Sequence, residues 1–206
     1  MPLQAKICGL KKKIEVETAI KYEAAFCGFI LNYPHSPRYI NSLEQIKFLE
    51  NIKEVKTKFV AVFVNPKDED LEKIKNLNFK FLQLHGDENL DRVREIKKKY
   101  KFKIIKSIKI KKKHDVLIYN VYKRDVDIIL FDGAGYEKST PFEHGWLKQI
   151  KENLTPVMVA GKISEETNLE KIFKIAEYVD ISGSLETNKE KDLSKIKNFL
   201  LKVKNL

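Results

Sequence analysis

Short apolar runs alternate with longer amphipathic segments along the whole chain. The runs are almost continuous in valine, isoleucine, leucine and phenylalanine, which is typical of strands buried on both faces of a parallel sheet. Strands are predicted at residues 3–7, 26–31, 59–64, 79–84, 102–108, 128–131, 157–160 and 178–181. Helices are predicted at residues 14–25, 43–55, 68–77, 90–100, 115–122, 142–153, 165–176 and 193–203.

The strand–helix unit recurs eight times, about once every 25 residues, which is the count of a (β/α)8 TIM barrel. No linker or low-complexity segment divides the chain, so we expect an α/β protein with a single domain spanning residues 1–206. An open doubly wound sheet is the main alternative. It would normally use fewer strands and a glycine-rich first turn, and the segment after the first strand lacks the G-x-G-x-x-G pattern.

The net charge of +11 at pH 7 raises nucleic-acid binding as an alternative function. The excess is nearly all lysine, spread over the chain at positions that we expect to face solvent. Arginine occurs at positions 38, 92, 94 and 124 alone, whereas surfaces that bind phosphates and bases usually cluster arginine. We therefore expect solvated lysine faces and no nucleic-acid partner, with some attraction for an anionic small molecule.

The apolar runs and the cysteines indicate the compartment. No run is long enough to span a bilayer, so we expect no membrane partner, and charge returns at Lys6, before a signal peptide could form. Two cysteines do not make a disulfide framework, which fits a reducing cytoplasm. Because Cys27 begins the second strand, we expect it to be core filler at the opposite end of the barrel from Cys8, with no disulfide between them.

Candidate catalytic groups lie at the C-terminal ends of the predicted strands, where barrel enzymes place their chemistry. Cys8 ends the first strand and Asp132 directly follows the sixth. A thiolate there could remove a proton from carbon while a carboxylic acid delivers one to oxygen, provided that the pKa of the cysteine is lowered and that of the aspartate is raised. The alternatives are that Cys8 is a small buried filler and that Asp132 caps the following loop.

Candidate anion-binding groups lie at three other strand ends. Gly161 follows the seventh strand, and Gly183 follows the eighth between Ser182 and Ser184. Such loops let backbone N–H groups approach a phosphate, with hydroxyl donors beside them, although ordinary turn glycines are the alternative. Arg38 follows the second strand and could clamp a planar carboxylate in bidentate fashion, or it could be a surface arginine.

Three histidines, at positions 35, 85 and 144, follow even-numbered strands and suggest a metal site as an alternative. A metal-dependent pentose-phosphate epimerase would have the same fold. None of the three has the close partner spacing of a known metal motif, so we expect no metal. We expect His85 to hydrogen-bond locally or to line the pocket.

Segments at the strand ends match, in order, those of one known family. They are Lys6-Ile7-Cys8-Gly9, Gly28-Phe29, Ser36-Pro37-Arg38-Tyr39-Ile40, Val62-Phe63-Val64-Asn65, Gln83-Leu84-His85-Gly86, Leu130-Phe131-Asp132, Ala160-Gly161 and Val179-Asp180-Ile181-Ser182. By these segments the chain resembles, over essentially its whole length, the phosphoribosylanthranilate isomerases of tryptophan biosynthesis.

The resemblance implies a (β/α)8 barrel without metal or organic cofactor that binds a phosphorylated small molecule. The sequence is compatible with a monomer or a homodimer. The reaction would be the Amadori rearrangement of N-(5-phosphoribosyl)anthranilate to the 1-deoxyribulose 5-phosphate product. Cys8 would take the proton from ribose C2, Asp132 would protonate the ring oxygen, and Arg38 would hold the anthranilate carboxylate, with His85 at the substrate. The phosphate would be held by Gly161, Ser182 and Gly183.

Residues 133–146 depart from the family pattern, which has a glycine-rich turn followed by Phe-Asp-Trp. Here Phe142 and Trp146 are further apart, with Glu143 between them. The sequence therefore does not specify how this loop closes over a substrate, or whether Gly133 and Gly135 reach the phosphate.

Overall fold

Eight parallel strands close into a barrel in sequence order, which confirms the predicted (β/α)8 TIM-barrel fold. The structure is a computed structural model that describes residues 2–53, 55–133, 140–150 and 154–206. The strands are β1 (Gln4–Cys8), β2 (Phe26–Ile30), β3 (Lys58–Phe63), β4 (Phe81–Leu84), β5 (Lys103–Ile110), β6 (Ile128–Gly133), β7 (Val157–Val159) and β8 (Tyr178–Ile181). Parallel pairing of β1 with β8, from Gln4 opposite Tyr178 to Ile7 opposite Ile181, closes the ring. The domain extent of residues 1–206 stays a prediction.

The connecting helices are shorter and more varied than the sequence pattern predicts. The α-helices are α1 (Lys13–Lys21), α2 (Asp68–Glu72), α3 (Leu90–Tyr100), α4 (Tyr119–Tyr122), α5 (Leu169–Phe173) and α6 (Leu193–Lys204). Segments of 3₁₀ helix span Leu43–Asn51, Lys113–Ile118, His144–Gln149 and Gly183–Leu185. Among the described residues, none of the helices combines the length and apolar character needed to cross a bilayer.

Capping side chains decide where two of these helices begin. α3 has its predicted bounds because Asn89 accepts a hydrogen bond from Arg92 N at 2.9 Å. The helix predicted at 165–176 starts only at α5, since Asn168 caps it by accepting from Lys171 N at 3.1 Å. The helices predicted at 43–55 and 142–153 form as shorter 3₁₀ helices, Leu43–Asn51 and His144–Gln149. Residue 54 and residues 151–153 lie outside the described residues.

Side chains along the strands alternate between the barrel interior and the layer under the helices. At the strand starts, Phe26 packs edge to face against Phe81 and Tyr178, with ring centroids 5.2 Å apart in both pairs. The rest of the interior is lined by Cys8, Val60, Val62, Ile105, Ile128, Leu130, Met158 and Ala160. Because aromatic rings fill the N-terminal end, the space for a ligand lies at the C-terminal end.

Two lysines on the strands correct the expectation that all lysines face solvent. Lys6 on β1 and Lys106 on β5 are 0% and 3% exposed. Each is paired with a buried carboxylate, Lys6 with Asp180 at 3.0 Å and Lys106 with Glu88 at 2.8 Å. A buried ammonium requires such a partner, because an isolated charge in the protein interior is strongly unfavourable.

The sequence position of Cys27 predicted that it lies at the opposite end of the barrel from Cys8, and this prediction is wrong. The β1–β2 register sets Cys27 opposite Ile7 and Gly28 opposite Cys8. The two sulfurs instead lie on opposite faces of the sheet, Cys8 in the barrel interior and Cys27 in the layer under the helices. Both cysteines are free, and the sheet itself separates them.

Strands β5 and β6 each run two residues beyond their predicted ends. Their ladder continues through the pairs Lys109–Asp132 and Ile110–Gly133. Asp132 therefore belongs to β6 itself and not to the loop after it, so its backbone is held by the sheet. The same register places Lys109 next to Asp132 at the mouth of the barrel.

Candidate active site

A cavity of about 390 Å³ opens at the C-terminal ends of the strands. All the residues predicted for the site line it: Cys8, Arg38, His85, Asp132, Gly161, Ser182 and Gly183. They belong to six different strands or to the loops that follow them. The structure thus brings the whole predicted set together, while the role of each residue stays a prediction.

Cys8, the last residue of β1, is 7% exposed and lies next to a buried positive charge. Burial raises the pKa of its thiol, and the ammonium of Lys6 opposes that rise. Lys6 donates hydrogen bonds to both carboxylate oxygens of Asp180, at 3.0 and 3.1 Å. Burial alone would lower the pKa of Lys6, but Asp180 and Cys8 reverse the effect and raise it, so Lys6 is charged at neutral pH.

Asp132 faces the cavity beside a histidine of fixed tautomer. The amide Nε2 of Gln83 donates to His85 Nδ1 at 3.0 Å, which leaves the proton of a neutral imidazole on Nε2. His85 Nε2 lies 3.6 Å from Asp132 Oδ2, longer than a hydrogen bond. Burial and the nearby lysines at 6, 106 and 109 lower the pKa of His85 to about 3. His85 is therefore neutral at neutral pH, and the carboxyl group of Asp132 lies beside it at the cavity wall.

Arg38 is already held by a carboxylate of the chain. Its Nε and Nη2 donate to the two oxygens of Glu186, at 2.5 and 3.0 Å. Lys191, whose side chain is 2% exposed, donates to the same carboxylate at 2.9 Å and to Ser182 O at 3.0 Å. Burial opposes ionisation of Glu186, but the hydrogen bonds from these two cations outweigh it and lower its pKa. The guanidinium is thereby fixed at the cavity wall.

The glycines of the predicted phosphate site make close backbone approaches. Gly161 has a φ of +90°, and a Cβ there would lie 3.0 Å from Gly133 N. A Cβ on Gly183 would lie 2.9 Å from Arg38 Nη2. Larger residues would therefore displace either the β6 backbone or the arginine. Gly135 and the rest of 134–139 lie outside the described residues.

The serine hydroxyls correct one expectation at the same loops. Ser182 Oγ donates to Cys8 O at 3.0 Å, and Ser184 Oγ donates to Ile163 O. Each hydroxyl has a single hydrogen, which is already used within the protein. Phosphate donors on these loops would therefore be backbone N–H groups, with the serines tying the strands together.

The three histidines considered as metal ligands do not converge. His85 lines the cavity, whereas His35 packs against Tyr33 and His144 against Phe142, with ring centroids 5.5 and 4.9 Å apart. Over the part of the chain that the structure describes, no group of three or more His, Cys, Asp or Glu side chains is arranged to hold a metal ion.

Sequence reasoning missed four polar residues around the cavity: Lys6, Gln83, Asp180 and Glu186. A signal for two of them was present, because Lys6 and Asp180 are opposite charges inside otherwise apolar strands that a closed barrel places side by side. Glu186 had no such signal, since it lies in a short hairpin, Glu186–Thr187 with Glu190–Lys191, that the pattern did not predict.

Comparison with known proteins identifies the family to which this barrel belongs. The family model for N-(5'-phosphoribosyl)anthranilate (PRA) isomerase matches residues 5–202. This chain belongs to that family. Among relatives named N-(5'-phosphoribosyl)anthranilate isomerase, that of Thermoanaerobacter pseudethanolicus is 35% identical over 99% of both chains. That of Clostridium acetobutylicum is 31% identical over 98% of both chains.

Solved PRA isomerase structures have the same fold. The Thermotoga maritima structure has a TM-score of 0.87 at 24% identity, covering 99% of this chain and 100% of that one. A PRA isomerase in complex with reduced 1-(o-carboxyphenylamino)-1-deoxyribulose 5-phosphate has a TM-score of 0.84 with the same identity and coverage. These likenesses establish the barrel, while the sequence match establishes the family. Membership in the PRA isomerase family replaces the epimerase and nucleic-acid interpretations.

Proposed function

We propose that this chain is a PRA isomerase that converts N-(5'-phosphoribosyl)anthranilate to 1-(2-carboxyphenylamino)-1-deoxyribulose 5-phosphate in tryptophan biosynthesis. The observation that carries the proposal is the shared cavity, in which a thiol and a carboxyl group from different strands face the same space. The family match supports the same substrate. Reduced product occupies one of the similar structures, which supports a ligand of this size and charge.

The reaction needs one proton donor and one proton acceptor. Asp132 gives a proton to the ribose ring oxygen, the C1–oxygen bond breaks, and the nitrogen lone pair forms an iminium at C1. The thiolate of Cys8 then removes the proton from C2, which gives an enol-amine that tautomerises to the ketone. The electron pair of the C2–H bond is thereby accepted by the iminium, so no metal or redox group is required.

The remaining residues hold the two ends of the substrate. Arg38 binds the anthranilate carboxylate through the guanidinium edge that Glu186 leaves open. The backbone at Gly161, Ser182 and Gly183 receives the phosphate, where the glycines allow close approach. His85, neutral and beside Asp132 at the cavity wall, donates a hydrogen bond from Nε2 to the substrate.

The assembly and location follow from the same site. All the residues predicted for the site meet in a cavity of a single chain, so a monomer or a homodimer would each hold them. One similar structure shows monomers generated from the dimeric T. maritima enzyme, which supports both states. We place the enzyme in the cytoplasm, because both cysteines are free and one of them carries the chemistry. Its partner is the phosphorylated small molecule, with no nucleic acid or membrane.

Replacement of the two proton-transfer groups tests the proposal. Asp132→Asn and Cys8→Ser should each lower kcat at least about 10²-fold, with KM changed only a few-fold, because general acid–base groups contribute that much to rate. Turnover is followed by chromatographic separation of substrate and product. Cys27→Ala, which removes the thiol on the other face of the sheet, is the matched control and should keep kcat. Near-normal turnover in either test variant contradicts the assigned mechanism.

A further inference from the structure

A buried cation lies directly behind the thiol of Cys8. Lys6 and Cys8 are two positions apart on β1, so both side chains point into the barrel. Lys6 is 0% exposed and does not line the cavity, whereas Cys8 does. The lysine therefore has no direct route to a substrate and can act on it only through the cysteine.

Gly28 provides the space in which the two groups meet. It is the register partner of Cys8 on β2. A Cβ at Gly28 would lie 3.0 Å from Cys8 Sγ and 3.1 Å from Lys6 Nζ, so sulfur and nitrogen flank one small volume. They are within the range of about 6 Å over which an opposite charge shifts a pKa. The absence of a side chain at Gly28 is what allows the approach.

Other charges around this pair are arranged to keep the lysine protonated. Asp180 on β8 accepts two hydrogen bonds from the ammonium. Lys191 of the hairpin is a second cation that acts on Cys8, and Glu186 is its counter-ion. His85, directly after β4, is an uncharged group at the site, and Cys27 lies on the other face of the sheet. The Asp180 carboxylate and the Lys6 ammonium balance each other in charge, so ionisation of the Cys8 thiol adds a negative charge next to a fixed ammonium.

We propose that Lys6 is a positioning residue that stabilises the thiolate of Cys8 and so makes it a competent base for proton removal from carbon. The inference rests on the proposed function in one respect, namely that Cys8 is the base. Burial by itself disfavours a thiolate, so without the ammonium the Cys8 thiol would hold its proton to higher pH. Asp180 holds the ammonium in place through two hydrogen bonds, while its own negative charge opposes formation of the thiolate.

Direct titration of the thiol tests this proposal without using enzymatic activity. The rate of Cys8 alkylation by iodoacetamide is measured against pH in a Cys27→Ala background, with modification located by mass spectrometry. Lys6→Met should raise the thiol pKa by at least about one unit, since an opposite charge at this distance shifts a pKa by about 1–3 units. Asp180→Asn should lower it, because the Asp180 carboxylate disfavours the thiolate. Lys12→Met, at an exposed lysine of the following loop, should leave it unchanged.

Opposite signs in the two variants separate an electrostatic role from a structural one. A thiol pKa unchanged in Lys6→Met, or shifted in the same direction by Lys6→Met and Asp180→Asn, overturns the proposal. If Lys6→Met does not fold because Asp180 is left unpaired, the thiol pKa of the double variant Lys6→Met/Asp180→Asn is compared with that of Asp180→Asn alone. The thiol pKa should be higher in the double variant, and equal values overturn the proposal.

Enzymatic assays of the same variants distinguish this proposal from the proposed function. The acid limb of kcat/KM against pH should move upward with the thiol pKa in Lys6→Met, with KM nearly unchanged. A wild-type chain without isomerase activity would remove the proposed function while the titration still reports on Lys6. An active isomerase whose thiol titration ignores Lys6 would remove only the role of the lysine.

Discussion

The ion pair between Arg38 and Glu186 leads to a prediction about substrate affinity. Glu186 occupies the Nε–Nη2 edge of the guanidinium and leaves the other edge available for a second carboxylate. Its role is therefore to orient Arg38 and not to compete with the substrate. Glu186→Gln keeps the size of the side chain but removes its charge, so Arg38 loses one charge-assisted hydrogen bond and Lys191 loses its counter-charge.

The structure sets the expected magnitude of this change. The two side chains are 20% and 11% exposed, so the pair is partly shielded from water, and a hydrogen bond between charged groups is worth about 1.5–3 kcal/mol. Since the glutamine oxygen still accepts one bond, we take the lower end of that range. A loss of about 1.4 kcal/mol raises KM about tenfold. The rate constant kcat should stay within about threefold, because Arg38 transfers no proton in the proposed mechanism.

Steady-state kinetics of Glu186→Gln with PRA as substrate measure both constants. Glu190→Gln is a matched control on the same hairpin, because Glu190 is half exposed and pairs only with surface lysines in the described contacts. It should leave kcat and KM unchanged. A KM that falls in Glu186→Gln would mean that Glu186 competes with the substrate carboxylate. A kcat that falls tenfold at constant KM would mean that Arg38 acts in the chemical step; either result refutes the reasoning.

Two further predictions concern stability. Because the pKa of His85 is lowered to about 3, the unfolded chain gains a proton below about pH 6.5 that the folded chain does not, so the free energy of unfolding should fall by about 1–2 kcal/mol from pH 7 to pH 5. When measured by urea unfolding, the free energy of unfolding should depend less on pH in His85→Gln than in the wild type. An identical pH dependence in the two proteins contradicts the prediction. Lys106→Met leaves Glu88 buried without its cation and should cost about 3–5 kcal/mol. Exposed Lys98→Met should change stability by less than about 0.5 kcal/mol in the same urea assay, and an equal loss in both variants would refute the buried-pair argument.

The predicted strands came close to the observed ones because burial on both faces leaves a local mark in the sequence. β8 matches its prediction, and β1 differs by a single residue at each end. The positions of Cys8 and Asp132 at strand ends could be predicted for the same reason, since each lies at the end of an apolar run. The helices were less predictable, because an amphipathic segment such as Leu43–Asn51 reads alike for an α-helix and a 3₁₀ helix.

The sequence by itself determined the order of the elements, the closed barrel and the strand ends that carry a thiol and a carboxyl group. Only the tertiary structure decided the partners of the buried charges. Lys6 and Asp180 are 174 positions apart, and Arg38 and Glu186 are 148 apart. The physical reason is that hydrophobic periodicity is a local property, whereas an ion pair depends on which strands become neighbours. The pairing of β1 with β8 sets Lys6 opposite Asp180, whereas each charge in its apolar strand shows only that a partner is needed and not which residue supplies it.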